Sequence, residues 1–272
     1  MRKTTFGASI LALCLFFGVS TAQAAQCGDG PGGFSTWLSQ FKQEAVARGI
    51  SPRAVSAALD GVTYNPTVIK LDRGQKSFRL SFEEFYAKRV SNAMINQGRK
   101  HIQNHGQMLG RIEQRTGVPP EIIMAIWGLE TGYGRDSGNM SIFRSLATLA
   151  YDCRRSDFFT NELIHALMIV DRGDMQPSRM IGAWAGEIGQ TQFLASSYIK
   201  FAVDGDGDGR RDLIRSVPDV LWSTASYLQA YGWQPGAGWE PGTHNYEVLR
   251  KWNKASVYVQ TISVMAQKMR QG

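Results

Sequence analysis

Val118-Pro119-Pro120-Glu121-Ile122-Ile123-Met124-Ala125-Ile126-Trp127-Gly128-Leu129-Glu130-Thr131-Gly132-Tyr133-Gly134 decides the fold class of this chain. Pro119 and Pro120 suit the first turn of a helix, where the N–H that proline lacks would have no partner anyway. No residue from Ile122 to Leu129 is charged, so the helix is apolar on most faces and belongs in an interior. Gly132 and Gly134 end it. Glu130 therefore stands in the last turn of a buried helix. A carboxylate there must be paired, hydrated at a cleft, or held partly neutral by a raised pKa. A carboxyl group still protonated near neutral pH is what a general acid needs. A glutamate that caps backbone or pairs with an arginine fits the same stretch, because structural ion pairs also perturb pKa values.

Helical punctuation continues on both sides. Trp37, Leu38, Phe41, Ala45 and Val46 mark one helical face stopped by Gly49, and Ser51-Pro52 opens the next, carrying Val55, Ala58 and Leu59 towards Gly61. One long helix is expected from Ser91 through Ile95, Ile102, Leu109 and Ile112 to Gly117, with others over 158–171, 218–231 and 246–269. Period-two alternation is scarce, and no internal repeat or low-complexity tract occurs. The expectation is a mostly α fold with Gly-rich loops between the helices forming a cleft.

The N-terminus reads as an export signal. Arg2 and Lys3 precede a short apolar run, Ile10 to Val19, and Thr21-Ala22-Gln23-Ala24-Ala25 offers an A-x-A cleavage site after Ala24. The run is too short to span a bilayer with comfort, and Gln26 rather than a small residue precedes Cys27, which argues against a lipoprotein. Residues 1–24 are thus expected to be a cleaved signal peptide, 25–34 a flexible lead-in, and 35–272 the working domain. The expected location is a bacterial periplasm, with no transmembrane segment after cleavage. Cys14 leaves with the signal, so Cys27 and Cys153 can form a single bridge in an oxidising compartment. The formal charge of +7 falls by two when Arg2 and Lys3 leave. Its basic residues are scattered, densest at Arg154-Arg155 and Arg210-Arg211, which suits an acidic polymer or an ordinary exported protein. Without an arginine-rich arm or an aromatic-basic ribbon, nucleic acid is not an expected partner.

A second motif is Asp204-Gly205-Asp206-Gly207-Asp208-Gly209-Arg210-Arg211-Asp212. It puts oxygen ligands at loop positions 1, 3, 5 and 9, glycine at 6, and the Arg210 carbonyl at 7, as a calcium-binding hand requires. Position 12 is Arg215 instead of a bidentate glutamate, and Asp219 is the candidate to close the sphere. With one loop and no paired hand, a structural Ca2+ is expected rather than a sensor. His101 and His105 have the spacing of a zinc pair but lack the H-E-x-x-H glutamate and a third ligand, so they read as solvated helix histidines. No nucleophile elbow, phosphate loop or dinucleotide fingerprint is present. Trp127, Tyr133, Trp184, Phe193, Tyr198, Trp233, Trp239 and Trp252 cluster near the glycine-rich segments, where they serve as core or as platforms for sugar rings.

Taken in order, these runs resemble the lytic murein transglycosylase B family. The matching stretches are Gly117 to Glu121 with Ile126 to Thr131, Ser145 to Tyr151, Arg154-Arg155 followed by Phe158-Phe159, Gly182 to Ser197, the Asp-rich loop, and Gly232-Trp233. The likeness runs from about Trp37 to the C-terminus. It implies a lysozyme-like helical core around 86–232 with an additional helical lobe and a single EF-hand-like loop. It also implies peptidoglycan glycan strands as substrate, Glu130 as the single catalytic acid/base, and no cofactor for catalysis. The family's glycan-cleft positions fall on Tyr86, Arg154, Arg155, Gln192, Phe193, Asn253 and Tyr258. The chain departs from the family at Ile188, usually methionine, at Ala183, serine in some members, at Trp252, commonly tyrosine, and at Ala195, commonly proline. Cell-wall synthesis or secretion assemblies are the candidate protein partners.

Two other classes compete. A lysozyme-type hydrolase needs a second carboxylate, for which Asp136 or Glu187 would have to serve. A calcium-loaded glycan-binding scaffold would use the Asp-rich loop and the aromatics, but binding alone does not need a buried acid.

Overall fold

Residues 25–74 and 80–271 are described by a computed structural model. The expected signal peptide, 1–24, lies outside the described residues. The stretch quoted above forms α7 (Pro120–Thr131), and every residue from Ile122 to Leu129 is buried. Gly132, left-handed at φ 59°, closes it, a conformation glycine adopts without penalty.

Around α7 pack α5 (Asn92–Asn104) and α13 (Ser256–Arg270), with α4 (Phe82–Arg89) against α13. α6 (Gly106–Thr116) and α11 (Val217–Ala230) meet each other and the same central helix. A second group is built on the consecutive helices α8 (Ile142–Tyr151) and α9 (Ser156–Asp171), which pack against each other. α1 (Phe34–Ala47), α2 (Pro52–Leu59) and α3 (Pro66–Arg73) lie on α8, and α2 and α10 (Ala195–Phe201) on α9. One hydrophobic cluster joins both groups, from Phe34 to Met269. The mostly α expectation holds. The only strand pairing in a named sheet among the described residues is Met140–Ser141 against Ile181–Gly182, antiparallel, with Met140 opposite Gly182.

Two expected long helices are each broken. The one from Ser91 to Gly117 stops at Asn104 and restarts at Gly106, with His105 at φ −109° and ψ 14°. The one from Tyr246 to Met269 splits into α12 (His244–Trp252) and α13. At that break Asn253 is extended, and its Oδ1 accepts from the Ala255 N–H at 2.9 Å, a local side-chain bond that competes with helix continuation. Hydrophobic spacing carries on across both the one-residue break at His105 and the three-residue break over 253–255, so periodicity alone reads through both. Val46, expected on the buried face of α1, is exposed.

The expected flexible lead-in is fastened instead. Cys27 is bonded to Cys153, the Gly28 N–H donates to Tyr151 O at 2.9 Å, and Pro31–Gly33 form a short 3-10 turn ahead of buried Phe34. No helix among the described residues is long and apolar enough to cross a membrane.

Candidate active site

Glu130 sits in the last turn of α7 and lines two cavities. One, about 320 Å³, is bounded by Glu187, Gln192, Phe193, Leu194, Ser197, Tyr227, Lys251, Trp252 and Asn253. The other, about 340 Å³, is bounded by Lys88, Arg89, Met94, Arg135, Asp136 and the end of α7. The residue keeps some surface through these openings, but its carboxyl group is enclosed by protein. Desolvation disfavours the charged form, and burial pushes Glu130 up to about 6. The Trp252 indole, the nearby Tyr258 hydroxyl and the charge of Arg89 oppose this, while Glu187 adds to it. Trp252 Nε1 donates to Glu130 Oε1 at 2.9 Å. Arg89 is held in place by donating to the Leu129 carbonyl at 2.8 Å. The result is a carboxyl group that keeps its proton to about pH 6, well above the ordinary range, and can still reach the charged state, the property of an acid that must also act as a base.

The helix end is clamped to the glycine-rich segment by Gln190, which is buried. Trp127 Nε1 donates to Gln190 Oε1 at 3.0 Å, Thr131 Oγ1 donates to the Gln190 carbonyl at 2.6 Å, and Gln190 Nε2 donates to Ile214 O at 3.0 Å. Next to it Gly189 has φ 74°, and a Cβ there would lie 2.1 Å from Leu213 O, so no other residue fits. Gln192 is left-handed at φ 53° without being glycine, a conformation that costs of order 1 kcal/mol and collects at functional sites. Its Nε2 donates to Gly189 O at 2.8 Å, which leaves the amide oxygen for the cavity.

The structure gathers Gln192, Phe193 and Asn253 in the first cavity and turns Tyr258 towards Glu130. Trp252 packs edge-on to Phe193, ring centroids 5.4 Å apart. Tyr86 lies on α4 with the Lys268 ammonium 4.8 Å from its ring centroid, and its hydroxyl is buried without a hydrogen-bond partner among the described residues. Arg154 and Arg155 turn to a buried acid, Asp72, rather than standing free. Arg154 Nε is 3.3 Å from Asp72 Oδ2, Arg155 Nη2 bonds Asp72 Oδ1, and Arg73 bridges Asp72 and Asp152. His101 is not a solvated residue: it packs on Trp127 and Tyr133 at 4.8 and 4.9 Å between centroids, and desolvation lowers its pKa.

Of the six expected metal-loop positions, Asp204, Asp206 and Asp219 bring carboxylate oxygens within 4.8 Å of one another. Asp208, Arg210 and Asp212 are outside that set among the described residues. The Asp208 carboxylate accepts from the Arg210 N–H, and Asp212 Oδ1 accepts from the Ile214 and Arg215 N–H groups. Asp219 ties the loop's two ends, accepting from Gly205 N–H at 2.7 Å and Asp212 N–H at 2.6 Å. Sequence reasoning missed Arg89, Gln190, Leu194, Ser197, Tyr227 and Lys251. Only Gln190 left a signal, as a polar residue inside a glycine-rich segment.

Helices arranged in this way match the lysozyme-like fold of lytic transglycosylases. Residues 33–242 match the transglycosylase SLT domain, and the chain belongs to that family. A segment of 129 residues, 47% of the chain, is 42% identical to membrane-bound lytic murein transglycosylase B of Escherichia coli; it spans only 36% of that relative's length. Crystal structures of SltB3 from Pseudomonas aeruginosa, in complex with NAG-anhNAM-pentapeptide and with NAG-NAM-pentapeptide, superpose with a TM-score of 0.83 at 31% identity, covering 88% of this chain and 80% of SltB3. The Escherichia coli lytic transglycosylase SLT35 in complex with calcium shares the fold, with a TM-score of 0.77 at 23% identity over 93% of this chain and 97% of that one.

Proposed function

We propose that this protein is a peptidoglycan lytic transglycosylase in which Glu130 alone supplies acid and base. The observation that carries the reading is an enclosed carboxyl group, raised to about 6, standing between two cavities. A glycan strand laid through both would present the bond between N-acetylmuramic acid and N-acetylglucosamine to that group. Glu130 protonates the bridging oxygen as the C1–O bond breaks, and the muramyl N-acetyl oxygen steadies the cationic C1. The carboxylate so formed takes the proton of the muramyl C6 hydroxyl as that oxygen bonds to C1. The product is a 1,6-anhydromuramyl end, no water is consumed, and Glu130 regains its proton. The tethered hydroxyl gains an effective molarity of up to about 10⁵ M or more when well oriented.

Supporting parts follow from the same reading. Gln192, Phe193, Asn253 and Tyr258 form the glycan cleft beside Glu130, and Tyr86, Arg154 and Arg155 extend it. Asp204, Asp206 and Asp219 suit a hard cation such as Ca2+, with Asp208, Asp212 and the Arg210 carbonyl completing the sphere if the loop closes on it; the ion would neutralise these carboxylates and brace the loop. Catalysis itself calls on no cofactor. Export by residues 1–24 would deliver the domain 35–272 to the periplasm, where its substrate lies and where wall-synthesis or secretion assemblies would recruit it.

The competing hydrolase reading draws on Glu187, which lines the first cavity with Glu130, and on Asp136, which lines the second. Mass analysis of products from purified sacculi in ¹⁸O-labelled water separates the two. The expected muropeptides are lighter by one water than a lysozyme digest, resist borohydride and carry no ¹⁸O. Reducible, labelled muramic acid ends as the main product refute the transglycosylase reading. Glu130→Gln is expected to lose about 10²–10⁴-fold in rate or more, and clearing of sacculi at the wild-type rate would rule Glu130 out.

A further inference from the structure

Glu187 is the one carboxyl besides Glu130 among the residues that bound the first cavity, and the proposed chemistry gives it no proton to move. Its backbone cannot shift. The Ala183 N–H donates to Glu187 O at 3.3 Å, Ile188 N–H donates to Phe193 O at 2.7 Å, and a Cβ on Gly182 would lie 2.1 Å from Glu187 O. Its Oε2 is buried with no hydrogen-bond partner among the described residues. Burial raises the pKa of this carboxyl, opposed by its own N–H, the Ala185 N–H and the charge of Arg155, and that guanidinium is committed to Asp72 and lies over the Phe159 ring at 4.8 Å. A buried carboxyl left short of donors is costly unless something else completes it. The other polar groups of the cavity are partly spent: Gln192 Nε2 on Gly189 O, and Asn253 Oδ1 on Ala255 N–H. Among the described residues, the cavity groups without a side-chain hydrogen-bond partner include one amide oxygen, the Asn253 amide nitrogen, the Ser197 hydroxyl, the Lys251 ammonium and Glu187 Oε2. Sugar rings carry N–H and O–H donors that need acceptors of this kind.

We propose that Glu187 is a specificity-determining residue of the cleft, accepting a hydrogen bond from an N–H or O–H of the amino sugar seated beside Glu130. Glu187 binds and does not transfer protons. The inference rests on the glycan-cleaving reading above. Losing one hydrogen bond to a buried acceptor changes affinity on the order of 10-fold.

Glu187→Ala and Glu187→Gln are assayed on solubilised glycan strands, with melting temperatures to establish folding. In a Glu130→Gln background, chitotetraose binding is measured by calorimetry with and without Glu187→Ala. The expected result is a loss on the order of 10-fold or more in kcat/KM for Glu187→Ala that falls on KM rather than kcat. Glu187→Gln, which keeps an acceptor oxygen, is expected to recover most of it, and chitotetraose binding is expected to weaken by a similar factor. If KM and chitotetraose binding stay at their parent values in folded variants, the proposal is wrong. A fall in kcat as deep as that of Glu130→Gln with KM intact also overturns it, by making Glu187 part of the chemistry. Wild-type protein that leaves no anhydro ends defeats the underlying reading instead, whereas an active wild type indifferent to Glu187→Ala defeats this inference alone.

Discussion

Replacing Glu130 by Gln should trade activity for pH-dependent stability. The carboxyl is raised from an ordinary 4.5 to about 6, so the folded protein holds this proton more tightly than the unfolded chain. Its contribution to stability is full below pH 4.5 and is lost as pH rises through about 6. At 1.36 kcal/mol per unit, that loss is about 2 kcal/mol by pH 8. Gln has the same shape, offers an oxygen to the Trp252 indole, and has no charge to desolvate. The stability of Glu130→Gln relative to wild type should therefore improve by about 2 kcal/mol between pH 4 and pH 8, or roughly 4–8 °C in melting temperature for a chain of this size. Taking the difference of differences cancels every other titrating group. The assay is denaturant or thermal unfolding of both proteins at the two pH values, with sacculus clearing alongside. A stability difference that is the same at pH 4 and pH 8 would show that Glu130 ionises as freely in the folded protein as in the unfolded chain, and the reasoning about a desolvated acid would fail.

Other consequences are as open to measurement. The wild type should lose activity as pH rises through about 6, where Glu130 gives up its proton, and Trp252→Phe, which removes a donor to the charged form, should move that limb to higher pH; a limb that stays put or moves down contradicts the role of the indole. Free-thiol titration of unreduced, denatured protein should find neither Cys27 nor Cys153. Their bond spans 126 residues, worth about 5 kcal/mol in the chain-entropy model and often less in practice, so Cys153→Ala should lower the melting temperature. Calcium should raise the melting temperature of chelator-treated protein by mass action, and Asp219→Asn should reduce that rise; an identical melting curve with and without calcium would leave the loop as a turn braced by its own N–H groups.

Much of this molecule is legible in its sequence because the deciding signals are local. Proline at the first turn, an uncharged run and a left-handed glycine fix α7 without reference to anything distant, and that is enough to single out Glu130. Ser51-Pro52 and Pro218 mark helix starts in the same way, and two cysteines left after export leave a single pairing. The breaks at His105 and at 253–255 were not legible, since the spacing of apolar residues does not register so short an interruption. The second break shapes the candidate site: it ends α12 so that Trp252 reaches Glu130, while α13 places Tyr258 near the same carboxyl. Likewise, the acid that holds Arg154 and Arg155 was not legible in the sequence: α3 brings Asp72 against them, a partner 82 residues away from Arg154. Sequence alone thus determined which carboxyl group is chemically unusual, because burial of a helix is written in its own residues. Only the tertiary structure decided how unusual it is and what stands around it. A pKa and a cavity depend on groups from α4, α12, α13 and the Gly182–Phe193 segment that meet only when the chain is folded.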